Sequence, residues 1–443
     1  MSFNFTDTKK WTDEYKTASE KERYESLLAI IGQDLPEKFI EETDLGMYFL
    51  ETIDTLIANN LMEETFDLIN KIKDKHPEIY KKDFQYFDKI TVSYYLFKHE
   101  TDKVREALTS FMQNPVQAIE EMFVILDELL LYGCTDIAVE LCKKIYEPVK
   151  LSDEILEGTE HEIAEIIFID MVDKYYQKVR NNEKPDWEKF MTDVNTYEII
   201  VKHDLKHYLL EKRTLPQDFE TAFKKGIADG LGILFWEFFK YSSDNKKMNF
   251  LCSKAILEGL FDFLYEINSN TKTGKHPDKF FNFTEDKFDQ YLGQLFGGFL
   301  SQKRALTVGI LWGTPYLYDF LLSNNIITDS VYKNVITIIN SLKSDLMENL
   351  ENSLWQYDFV HRWIKPDGID QKEFEAEAKK FAVTINVKIP LSDEESGQDD
   401  FFDMLTDSDF VSLLEPQCDK KEKSPKKSKK KKTPKKNTEK SKK

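Results

Sequence analysis

The chain has 443 residues, of which 41% are hydrophobic and 13% aromatic. That excludes wholesale disorder and supplies enough apolar surface for a large core or for stacked units that bury one face on the next. Its net charge of −19 joins two unlike regions: residues 420–443 hold 14 Lys and 2 Glu, net +12, while the remainder carries 47 basic and 78 acidic groups, net −31. An acidic body of that size repels nucleic acid and anionic membrane, whereas the lysine block attracts them.

Taken in order, the first residues, Met1 to Asp7, lack the basic-then-apolar pattern of a secretory signal, so an intracellular protein is expected. Ser19-Glu20-Lys21-Glu22 has capping-box form and predicts a helix that carries Tyr24, Leu27, Leu28 and Ile31 on one face. Helical pairs follow, Thr52 to Asn60 with Leu61 to Ile72 and Phe84 to His99 with Asp102 to Met112. The clearest pair spans Glu120 to Pro148. Met122, Ile125, Leu126 and Leu129 recur at i, i+3, i+4 and i+7, and Ile137, Leu141 and Ile145 form a row with Ala138 and Cys142 beside it. Gly133 suits the left-handed end of the first helix, and Thr135 or Asp136 is expected to cap the second.

Gly133, Ala138 five residues later and Pro148 near the helix end resemble the second half of a tetratricopeptide repeat. The resemblance covers roughly Asp44 to Pro148. It implies a turn eased by the glycine, a close helix approach at the alanine and a concave surface offered to peptides. The spacing of successive pairs drifts, which other helical repeat classes accommodate as well.

Beyond Pro148, Ile163, Ile166, Ile167, Asp170, Met171, Lys174 and Tyr175 predict a long helix from Glu160 to Arg180, and Pro185 precedes another that contains Trp187, Phe190 and Val194. From Pro216 the texture changes: Ala222, Gly226 and Gly230, then Gly293 with Gly297 and Gly309 with Gly313, put small residues at helical spacing where backbones pass closely. Leu306 to Leu322, broken by Gly313-Thr314-Pro315, is shorter than the about 20 apolar residues of a spanning helix and reads as a kinked buried one. Asp370 with Glu373 predicts a capped helix from Phe374 to Phe381. Phe381, Val383, Ile385, Val387 and Ile389 then alternate with polar or small residues up to Pro390, a strand pattern.

From Leu391 to Asp419 there are ten acidic residues and no Lys or Arg. Phe401, Phe402, Leu405, Phe410, Leu413 and Leu414 among them form an expected partner-binding segment of the kind that folds into a partner's groove. The final block holds Lys426, Lys427, Lys429, Lys430, Lys431, Lys432, Lys435 and Lys436, expected to be disordered and to contact polyanions without reading sequence. Its Ser424-Pro425-Lys426-Lys427 and Thr433-Pro434-Lys435-Lys436 units resemble linker-histone tails, which implies loose contact with nucleic-acid phosphates.

No catalytic, cofactor or metal site is expected. His203 and His207 stand at i, i+4 without a third ligand, His161-Glu162 lacks the second histidine of a zinc protease helix, and the glycines from Gly226 to Gly232 follow no strand. Cys134, Cys142, Cys252 and Cys418 show no CxxC spacing and fit a reduced compartment.

The expectation is therefore an all-α protein of helical-hairpin repeats, α-solenoid-like, with a lone C-terminal strand and a disordered tail. Its divisions are a repeat region (1–215), a compact Gly-rich subdomain (216–380), the strand (381–390), an acidic linker (391–419) and the Lys-rich tail (420–443). Functionally it reads as a non-enzymatic scaffold or adaptor for protein partners, cytoplasmic, or nuclear in a host with a nucleus. The alternative is a helical enzyme or enzyme regulator with its site in 216–365.

Overall fold

A computed structural model describes residues 8–201, 205–211, 213–268, 276–297 and 302–394, and among these the backbone is helical with no strand. The N-terminal helices are α1 (Thr8–Thr17), α2 (Glu20–Ile31), α3 (Glu37–Thr43), α4 (Leu45–Ala58), α5 (Met62–Lys75), α6 (Pro77–Phe97), α7 (Thr101–Ala107) and α8 (Thr109–Gln113). The expected capping box opens α2: Ser19 accepts from the Glu22 amide, and Glu22 accepts from the Ser19 amide.

The central helices are α9 (Ile119–Leu131), α10 (Thr135–Lys150), α11 (Thr159–Arg180), α12 (Trp187–Asn195) and α13 (Leu205–Leu210). Then come α14 (Gln217–Lys225), α15 (Ile227–Tyr241), α16 (Phe250–Asn268), α17 (Pro277–Phe280), α18 (Glu285–Gly297), α19 (Arg304–Ser323), α20 (Asp329–Leu350) and α21 (Gln371–Val383). A five-residue π-helix, Ser242–Lys246, follows α15, and 3-10 turns run from Glu351 to His361.

The repeated unit is a turn geometry. At the ends of α4, α6, α9, α11 and α19 the chain takes one left-handed residue, in turn Asn60, His99, Gly133, Asn182 and Asn325. Each time the next amide reaches back five residues: Leu61 to Leu56, Glu100 to Tyr95, Cys134 to Leu129, Glu183 to Lys178 and Ile326 to Leu321, at 2.8–3.0 Å. The left-handed residue itself bonds three residues back, as Gly133 does to Leu130 at 3.1 Å. This is the double-bonded C-terminal cap that satisfies orphan carbonyls and reverses the chain. In the first three turns the residue that closes the cap, Leu61, Glu100 or Cys134, is also the N-cap of the next helix, so the hairpins are tight.

Helix α9 is the hub. It packs on α6, α10, α16 and α19, and its Met122, Ile125, Leu126 and Leu129 are buried in one continuous apolar cluster that runs from Trp11 to Phe381. Two glycines let α19 come close. A Cβ at Gly309 would lie 2.7 Å from a Leu131 methyl, and one at Gly313 would lie 2.4 Å from Ile256.

Segment 351–370 fastens the hairpins from outside. Arg362 donates to the carbonyls of Leu96 (3.3 Å) and Phe97 (2.8 Å) at the end of α6, pairs with Asp358 (2.8 Å) and lies over the Tyr132 ring at 4.5 Å. Trp363 Nε1 donates to Leu131 O at the end of α9 (3.1 Å). A guanidinium and an indole thus supplement the hairpin turns at these helix ends: Leu96 O already accepts from His99 N, while Phe97 O and Leu131 O take side-chain donors.

Several expectations need correction. The strand expected over 381–390 does not form. Asp370 caps α21, and the helix-favouring run from Gln371 to Lys380 carries it through Val383; a 3-10 turn, Thr384–Asn386, follows, and Val387 onward is extended without a partner strand. With no neighbouring strand to complete a ladder, the alternation had nothing to pair with. Thr135 and Asp136 do not cap α10; Asp136 pairs instead with Arg105 (2.5 Å). α19 continues through Pro315 as a single helix, buried over most of its length. Gly226 forms the turn between α14 and α15, while Gly230 packs on Phe223; Gly293 and Gly297 approach nothing.

The extended C-terminal segment returns to the N-terminal helices. Asn60 Nδ2 donates to Thr384 O (2.9 Å) and Val387 O (3.0 Å), Ile389 N donates to Asn59 O (3.0 Å), and Lys21 N donates to Ser392 O (3.2 Å).

Candidate functional site

The amphipathic design of α9 decides what faces outward. With its aliphatic rows in the core, Glu121, Asp127 and Glu128 project toward α6, α16 and the start of α19. Glu121 pairs with Lys89 of α6 (2.6 Å), and Glu128 accepts from Ser93 of the same helix (2.6 Å). On α16, Lys254 bridges Glu258 (2.5 Å) and Glu165 of α11 (3.2 Å).

Asp127 makes no hydrogen bond or ion pair among the described residues, although Lys303 and Lys254 lie within electrostatic reach. Burial pushes its carboxyl up to about 6, against the pull of those lysines. Burial likewise pushes Glu128 up to about 7, opposed by the Ser93 hydroxyl and Lys89 and assisted by Asp127 and Glu121. Asp54 of α4 is exposed, yet surrounding protein raises its carboxyl, with Lys89 and Arg304 opposing. Glu258 and Asp262 are raised for the same reason, and burial pulls Lys254 down, but Glu258 and Glu165 raise it on balance.

The result is a band of half-buried to exposed side chains running from α4 across α6 and α9 to α11 and α16, in which carboxylates outnumber the nearby Lys89, Lys254, Lys303 and Arg304. The excess of carboxylates attracts positive charge, and Asp127 and Glu128 bind protons near neutral pH. The arrangement suits a surface that receives basic groups.

A second ionisable cluster is enclosed. Lys343 of α20, 5% exposed, sits over the Trp312 ring at 4.9 Å; Trp312 Nε1 donates to Glu377 of α21 (2.7 Å). His361 lies 3.3 Å from that same carboxylate, without hydrogen-bond geometry, between the rings of Phe374 and Phe381. Burial lowers Lys343 to about 8 and His361 to about 4, with Glu377 opposing both. A depressed ammonium beside an imidazole and a carboxylate is the kind of grouping that catalysis uses. Here, however, the burial that shifts both groups also closes them to a substrate, and their contacts hold α21 on the body.

The residues expected to contact partners lie elsewhere. Phe401, Phe402, Leu405, Phe410, Leu413 and Leu414, and Lys426, Lys427, Lys429 to Lys432, Lys435 and Lys436, fall outside the described residues, as does His203. His207 pairs with Glu211, and His161 is exposed beside Glu160. Sequence reasoning passed over Asp127 and Glu128 as ordinary polar positions. The signal was their adjacency between Leu126 and Leu129, which forces both onto the margin of a buried stripe.

No known protein family matches the chain, and comparison with curated proteins and with solved structures gives no match either.

Proposed function

We propose that the protein is a non-enzymatic helical scaffold that binds protein partners, with basic segments received on the carboxylate-rich band of α4, α6, α9, α11 and α16. The observation that supports this reading is Asp127: a half-buried carboxylate, raised to about 6, with no ion pair among the described residues, on the margin of the hub helix. A tetratricopeptide-like arrangement of the hairpins fits the same role. The Lys-rich block, Lys426 to Lys436, then engages polyanions by phosphate neutralisation, and Phe401 to Leu414 is a further partner-binding segment.

The test is capture of partners by the full chain beside an Asp127→Asn/Glu128→Gln chain, scored against a Lys/Arg-rich peptide in solution. Loss of basic-peptide binding and of captured partners in the double variant is expected. Undiminished binding would remove the band from the partner surface.

A further inference from the structure

The segment after Phe381 has an unusual relation to the body. From Ala382 to Glu394 none of its residues is fully buried, and Val387 is 48% exposed. From Val387 it nevertheless follows a defined extended path across α2, α4 and α5, held mainly through its backbone.

Asn60, at the α4–α5 turn, holds the carbonyls of Thr384 and Val387, and the Asn59 carbonyl receives Ile389 N–H. Ser392 is clasped at both ends of its peptide unit: its N–H donates to Glu20 Oε2 (2.9 Å), and its carbonyl accepts from Lys21 N in the first turn of α2 (3.2 Å). Asp393 adds an ion pair with the Lys21 ammonium (2.9 Å). Between these anchors half-buried Leu391 packs against the apolar cluster and, with Tyr15, Arg23, Tyr24, Glu51, Thr52 and Thr55, walls a small recess.

Main-chain capture with one side-chain recess and one charge anchor is how proteins bind extended peptides in trans: the backbone bonds give affinity, and the recess and charge give the sequence preference. Because this segment inserts no core residue, its departure leaves the apolar cluster intact.

We propose that the face formed by α2, α4 and α5 is a docking site for an extended peptide in which a leucine-sized aliphatic residue is followed by a serine and an acidic residue. Residues Val387–Glu394 fill that site in cis. A partner bearing such a segment must displace them, and a tethered occupant competes at high effective concentration. The site is separate from the carboxylate band and does not depend on it.

The probe is a fluorescein-labelled peptide of sequence Val387–Glu394, titrated into the full chain and followed by anisotropy. The wild-type chain, its site filled, binds weakly. A full-length Leu391→Asp chain, whose own segment is loosened, binds about tenfold tighter or more, because apparent affinity scales with the fraction of open sites. Adding Lys21→Glu, an exposed change, abolishes the gain, and a peptide carrying Asp393→Lys restores it. The thermal midpoint of each chain reports that the body is folded. Equal weak binding to wild-type and Leu391→Asp chains, or binding indifferent to Lys21→Glu, overturns the proposal. So does concentration-dependent dimerisation that excludes the peptide, which would give the face to a second copy of the chain.

Discussion

The indole N–H of Trp355 donates to Asn60 Oδ1 at 3.0 Å, and the amide of that same buried asparagine donates to Thr384 and Val387. One side chain therefore joins the end of α4, the 3-10 turns after α20 and the returning C-terminal segment, while its backbone takes the left-handed conformation that ends α4. Asn60→Gly keeps the backbone and deletes the bonds. It is expected to cost about 1–3 kcal/mol, the range for leaving a buried donor such as the Trp355 N–H unsatisfied. Urea denaturation of the two chains measures it; an unchanged midpoint would mean that water replaces the asparagine.

At Gly133 the issue is backbone alone. Its φ is +75° and a Cβ there would meet nothing within 4 Å. Gly133→Ala is expected to cost roughly 1–2 kcal/mol from left-handed strain, and Gly133→Asn less. Ala138, fully buried on α10, fails in the opposite way: Ala138→Phe overpacks and is expected to cost about 1–3 kcal/mol. Thermal melts distinguish the two, since the ranking of Ala above Asn in cost belongs only to the turn.

Arg362 serves the end of α6, an aspartate and an aromatic face at once. Arg362→Lys keeps the charge but loses the planar fork, so it is expected to lose about 1–3 kcal/mol through unpaired carbonyls and the stack on Tyr132. Equal stability of the lysine chain in denaturant would show that charge alone suffices there.

Raised carboxyl groups give the band a signed pH response. In the folded chain burial makes Asp127 and Glu128 hold their protons up to about 6 and about 7, above the ordinary 3.8 and 4.5 of these side chains. Over the interval between those values the folded state binds more protons than the unfolded, so these groups make stability fall as pH rises from about 4 to about 7. Glu128→Gln, which can still accept from Ser93, is expected to flatten part of that fall and to raise the neutral-pH midpoint. His361 contributes the opposite slope, because burial holds its folded value at about 4, below the ordinary 6.5 of histidine, so its contribution declines on acidification through that window. A His361→Phe chain separates the two, and a fall in stability unaltered by Glu128→Gln would assign the effect to other carboxyls.

For the Lys-rich tail, a peptide of Lys420–Lys443 is expected to bind duplex DNA more tightly than the full chain, whose acidic body competes for it. Both affinities are expected to fall steeply with salt as counterions are released. Equal affinities for peptide and chain would show that the body does not compete; salt-independent binding would rule out a phosphate mechanism.

Helix identity was readable from side-chain period: the rows on α9 and α10, the capping box at Ser19 and the cap at Asp370 all stand as the sequence suggests. The turns were only partly readable. Gly133 was visible because glycine advertises left-handed backbone, whereas Asn60, His99, Asn182 and Asn325 adopt it with side chains that usually go unremarked. The alternation from Phe381 to Ile389 misled because period reports which faces differ, not whether a neighbour exists to pair with. Asp127 was legible only as a residue on the margin of a buried stripe, and the docking of 387–394 not at all, since their surroundings depend on contacts between separate helices or between residues hundreds of positions apart.

The path of residues 387–394 also has a mechanical meaning. Glu394 lies beside α2, so tension applied there first meets the Lys21 contacts with Ser392 and Asp393, then Ile389 at Asn59, then Val387 and Thr384 at Asn60. Anchors spaced along a line and loaded from one end give way singly, like a zipper. Only after the last of them does force reach Phe381 and the Trp312–Glu377 bond that hold α21, so a modest pull uncovers the α2–α4–α5 face while the body stays whole.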